Sequence, residues 1–124
     1  MNVMHWLIGP QLIGLIFVIA GSIQKRFPPK HINALYGYRM PSAMKNQQTW
    51  DVANHYSARF MIKCGFILLI AGIIITAILE MLNTSKASFD IIIMVLLIFS
   101  SMGMALAIIV ATEKHLGKIF DKPQ

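Results

Sequence analysis

At 124 residues the chain fits one domain, and it is 56% hydrophobic, only 13% charged, and carries a formal net charge of +6. An ordinary soluble domain is about 45–50% apolar and about 25% charged. The excess therefore argues against a solvated globule, and with it against a nucleic-acid-binding face of solvated Lys and Arg. A basic balance beside long apolar runs reads instead as membrane topology and attraction to anionic lipid.

The first apolar block covers about residues 3–23 and contains no charge; Gln11 is its one strongly polar side chain, with His5 near the outer end. Some twenty residues at about 1.5 Å per residue cross a hydrocarbon core of about 30 Å. Only Met1 and Asn2 precede the block, and the basic residues follow it as Lys25 and Arg26, an order that argues against a cleaved signal peptide and for an uncleaved span. Pro28 and Pro29 then stop the helix.

The polar stretch from about 24 to 59 has two halves. The second half reads as a helix N-capped by Asn46, and no Gly or Pro occurs between Ser42 and Cys64. That helix either runs unbroken into the next apolar block or bends near Arg59 to lie on the membrane surface. Trp50, Ala53, Asn54, Ser57 and Met61 fall three and four apart and share one face of mixed polarity. Asn54 on that face calls for a partner in the preceding turn or on another helix.

The second block, about 60–82, opens with Lys63, whose long stem can snorkel to the headgroups. The third, about 91–111, is uncharged. The short connection between them predicts an antiparallel hairpin. Glu80, near the expected outer end, reads as a solvated end residue rather than a proton-carrying group deep in a bundle. In lipid each run must satisfy its backbone internally, which selects helix. The expected architecture is an all-α integral membrane protein: a single domain over 1–124 with three transmembrane helices and a loop containing an amphipathic helical segment. Lys25, Arg26, Lys30, Arg39, Lys45, Arg59, Lys63, Lys114, Lys118 and Lys122 fall on one side, against Lys86 on the other. The positive-inside rule then places the N-terminus outside and the first loop and C-terminus in the cytoplasm.

Gly65 and Gly72 in the second block, and Gly103, Ala107 and Ala111 in the third, form small-residue stripes. They serve packing within one chain or, alternatively, a homo-oligomer seam. Cys64, the single cysteine, reads as a small buried hydrophobe, and the methionines as filler.

The distinctive residues lie in the loop, about 27–54. Tyr36 and Tyr38 flank Gly37, a position suited to a tight turn with positive φ. Arg39 follows, able to bind a phosphate, a helix C-terminus or a carboxylate, and Pro41 leads toward the helix. Read from physics alone, this stretch also fits an interfacial collar of aromatic and basic residues with no ligand. The pattern Asn33, Tyr36, Gly37, Tyr38, Arg39, Pro41, Met44, Lys45, Asn46, Trp50, Ala53, Asn54 resembles the signature loop of the SdpI family, bacterial membrane immunity proteins against a secreted peptide toxin. Beyond the loop the likeness is one of general hydrophobic character. The sequence differs from the family pattern at Met40, at Gln47 and Gln48, and in having three apolar blocks where the namesake has an additional N-terminal membrane region.

The resemblance implies protection against a membrane-active toxin, together with signalling through a cytoplasmic regulator. The expected partners are membrane lipids, a peptide toxin or a cytoplasmic regulator, with no direct nucleic acid. His5, His31, His55 and His115 lack a ligand spacing, and Asp51 is the only acid of the loop, so no metal, cofactor or enzymatic activity is expected. The alternative from another class is a small lipid- or small-molecule-handling membrane protein, either a carrier or a membrane enzyme, using Arg39 and Lys45 at headgroup level.

Overall fold

The computed structural model describes residues 2–121, so Lys122 of the charge count lies outside the described residues. Four helices follow in order: α1 (Val3–Leu7), α2 (Pro10–Arg26), α3 (Gln47–Met81) and α4 (Lys86–Phe120), and no strand occurs among the described residues.

The first apolar block is divided. Pro10 has no amide to donate to the carbonyl of Trp6, so the helix breaks at Ile8 and Gly9 and restarts with Pro10 in its first turn. The buried side chain of Gln11 repairs the break: its Nε2 donates to the Trp6 carbonyl at 3.1 Å and to Thr76 Oγ1 of α3 at 3.3 Å. In an apolar surround a bare carbonyl is costly, which gives the one strongly polar side chain of the block a structural task.

α2 runs antiparallel along α3 through a seam of small residues. Gly21, Gly14 and the backbone of Gln11 on α2 face Ala58, Gly65 and Gly72 on α3, which recur every seven residues. A Cβ added at Gly14 would stand 2.5 Å from the backbone nitrogen of Leu69, and one at Gly65 would stand 2.8 Å from the carbonyl oxygen of Gly14. The two backbones are thus in direct contact, as small-residue stripes permit. Gly65 and Gly72 serve packing within the chain. Gly103 on α4 does not, since nothing lies within 4 Å of where its Cβ would be.

α3 and α4 are each 35 residues long, and both are long and apolar enough to cross a membrane. Their outward side chains suit lipid: Ile67, Ile70, Ile91, Phe99 and Leu106 are all exposed. At 1.5 Å per residue each helix measures about 52 Å, longer than the hydrocarbon core of about 30 Å. α3 does not bend at Arg59; the loop-side helix and the second apolar block are one continuous helix. The turn between α3 and α4 is short, as expected for a hairpin.

At the end of the bundle away from the loop, the ring of His5 stacks on Phe89 of α4 with centroids 3.9 Å apart. Its Nδ1 lies 3.2 Å from Glu80 of α3 and its Nε2 lies 3.6 Å from Asp90 of α4. Glu80 is therefore a partner of α1 rather than a merely solvated end residue. Its position just before the α3–α4 turn puts it within reach of the short N-terminal helix that the Pro10 break turns aside.

Candidate functional site

The site is the loop from Phe27 to Asn46 folded onto the first turns of α3. It begins with the helix start. Asn46 caps α3: its side chain accepts from the amide of Thr49 at 2.9 Å, and the amide of Asn46 donates to Thr49 Oγ1 at 3.2 Å. This reciprocal box fixes where the helix begins and so which residues face inward. Trp50, Ala53, Asn54 and Ser57 then form one fully buried face.

Asn54 organises the loop. Its Oδ1 accepts from the amide of Tyr38 at 2.6 Å, and its Nδ2 donates to the carbonyl of Trp50 at 3.0 Å. The close approach dictates Gly37, whose φ is +105° and whose added Cβ would lie 2.5 Å from Asn54 Oδ1 and 2.7 Å from Pro29 Cγ. Both the backbone conformation and the space exclude a side chain there. Trp50 closes the other flank, its indole Nε1 donating to the carbonyl of Pro29 at 2.7 Å. Proline cannot supply an amide, yet its carbonyl is open to a donor.

The outer rim is held locally. Asn33 Oδ1 accepts from the amides of Leu35 at 2.9 Å and Tyr36 at 2.7 Å, forming an Asx-type turn. The Tyr36 hydroxyl donates to the carbonyl of Phe27 at 2.8 Å. Pro41 opens a turn in which the amides of Ala43 and Met44 donate to the carbonyl of Met40. Lys45 is exposed, and Ala53 is completely buried beneath the loop.

Two helices beyond the signature also reach the site. Gln24, near the end of α2, is buried; its Nε2 donates to the carbonyl of Asn54 and to Ser57 Oγ, both at 2.9 Å. Glu113 of α4 accepts two bonds on one oxygen, from the Tyr38 hydroxyl at 2.6 Å and from Ser42 Oγ at 2.5 Å. Burial, reinforced by the hydrogen bond and the negative charge of Glu113, pushes the Tyr38 phenol well above the ordinary tyrosine range. In the sequence Gln24 marked only the start of the polar stretch. Glu113 carried no local signal, because its partner is 75 positions away.

Arg39 does not join the cluster of Trp50 and Asn54. Trp50 and Asn54 are joined, but Arg39 is exposed and its guanidinium donates to the carbonyl of Ala34. Arg39 instead borders an open cavity of about 570 Å³ between α2, the loop and α4. Among the described residues no three His, Cys, Asp or Glu side chains converge closely enough to hold a metal ion.

The comparisons match this region. Residues 30–112, covering most of the loop, all of α3 and most of α4, match the SdpI/YfhL protein family. The uncharacterized protein YfhL of Bacillus subtilis (strain 168) is 44% identical over 62 residues, half of this chain. The alignment spans 56% of that relative's length. No solved structure matches the chain. With two-thirds of its length matched, and the matched part containing the loop and both long helices, the chain belongs to the SdpI/YfhL family.

Proposed function

We propose that this chain is a membrane self-protection protein that defends its producer against a secreted membrane-active peptide toxin, with the loop-and-helix module as its functional centre. The observation that carries the reading is membership of the SdpI/YfhL family. In this reading α1 with α2 makes one crossing, kinked at Pro10, and α3 and α4 make the other two. The basic side holding the loop and the C-terminus faces the cytoplasm, where the loop also offers a surface to a regulator. The protein acts by binding rather than by catalysis. The buried Asn54–Gln24–Ser57 network gives the loop one fixed shape, and a fixed shape is what recognition needs.

The test is survival of a toxin-sensitive bacterium that expresses the chain, challenged with the family's peptide toxin. Protection by the wild type, lost in Asn54→Ala and Trp50→Ala but kept in Lys118→Ala at matched membrane abundance, is the expected result. No protection by abundant wild-type protein overturns the reading.

A further inference from the structure

The cavity beside Arg39 has a shape and chemistry that the packing of the loop does not explain. One wall is Phe17 of α2, the other is Ala105 and Ile109 of α4, and the loop residues Arg39 and Met44 close one end. The floor and walls are apolar, and the volume of about 570 Å³ falls inside the range of about 300–1,000 Å³ usual for small-molecule sites. Ala105 is exposed, so the cavity opens sideways between the helices, toward the surface that faces lipid.

The loop end carries the positive charge of Arg39. The salt bridges among the described residues involve only His5, so no carboxylate of the described residues lies within 4.0 Å of Arg39. The bond to Ala34 uses one of five guanidinium donors and steadies the group, leaving the rest of its planar fork for a ligand oxygen. Next to Ala34, Leu35 is 91% exposed. An exposed leucine on the same loop as the arginine suits an edge where hydrocarbon meets headgroups. A charged fork at one end and an apolar slot at the other match a single type of occupant.

We infer that the slot between α2 and α4 binds one anionic phospholipid, its phosphate on Arg39 and an acyl chain along Phe17, Ala105 and Ile109. This rests on the membrane reading of the chain but not on toxin protection. Lipid retention is read on purified protein and survival is read in cells, so either idea can fail without the other.

The experiment is native mass spectrometry of the full chain released from detergent containing equal amounts of phosphatidylglycerol and phosphatidylcholine. One phosphatidylglycerol should be retained, in preference to phosphatidylcholine by about tenfold, a difference of about 1.4 kcal/mol. Arg39→Ala should lose that preference. Ala105→Phe, which fills the slot from an exposed helix face and touches no hydrogen bond, should lose the adduct while the protein keeps its helical circular dichroism. Excess inorganic phosphate should not displace the lipid. Equal retention of the two lipids, displacement by phosphate, or an adduct indifferent to Ala105→Phe would each overturn the inference. So would a dimer mass, in place of a lipid adduct, that Ala105→Phe abolishes.

Discussion

Asn54 shows how one side chain can set the shape of a loop. It is buried, it accepts from Tyr38, it donates to Trp50, and Gln24 bonds its carbonyl. Asn54→Leu would leave the Tyr38 amide without an acceptor in a site closed to water, and should cost about 1–3 kcal/mol, read as a fall in the detergent melting temperature. Gly37→Ala should destabilise similarly, since the added methyl meets both Asn54 and Pro29 at positive φ. Tyr38 gives a test by pH. Its phenol is raised in the folded protein, so its contribution to stability is complete below the unfolded value of about 10 and is lost as pH rises beyond it. The absorbance difference between wild type and Tyr38→Phe should therefore show no phenolate appearing at about pH 10 while the protein stays folded; ionisation at that pH would show that Tyr38 is not buried against Glu113 in solution. The Asn46 cap and the shared face of Trp50 and Asn54 were legible in the sequence because each depends on residues within about a helical turn, and the Gly37 turn because a glycine between two tyrosines marks it, although the partner that requires it, Asn54, lies 17 positions on. The role of Glu113 was not legible, because a bond across 75 positions leaves no local periodicity.

At the level of elements, the pair α2–α3 is joined by backbone contact and α4 leans on it more loosely. Gly65→Leu should force α2 and α3 apart and cost about 1–3 kcal/mol by overpacking, whereas Gly103→Leu, with open space around it, should leave the melting temperature unchanged. Equal effects would mean that the seam lies elsewhere. Glycine spacing announced close packing but not its partner: the stripes of the second and third blocks read alike, yet Gly65 and Gly72 meet α2 while Gly103 has open space. The break in the first block was hidden for a different reason. Hydropathy sums over the run and passes across Gly9 and Pro10 without a signal, while the missing proline amide acts on one carbonyl. The same missing amide makes Gln11→Leu destabilising despite its gain in hydrophobicity, by leaving Trp6 without a donor; a melting temperature at or above wild type would contradict that.

For the whole molecule, charge asymmetry sets the expected orientation. With Cys64 replaced by Ser, a cysteine at Lys45 should resist an impermeant thiol reagent in intact cells and one at Lys86 should react; the reverse pattern would place the loop outside. The all-helical class and the membrane-compatible blocks could be read from composition alone, since length and apolarity are additive properties. The arrangement of helices around the loop could not, since it depends on pairings far apart in the chain. One such pairing also sets an order of events in biosynthesis. Asn54, Trp50 and the Gly37 turn lie close enough in sequence to meet soon after they leave the ribosome. The hydroxyls of Tyr38 and Ser42, however, are satisfied by Glu113 at the far end of α4. At about 5–20 residues per second, the acceptor is made roughly 4–15 seconds after the donors. Until then the loop is a half-finished clasp, and a nascent chain stopped before Glu113 exposes two unpaired hydroxyls that the completed protein hides.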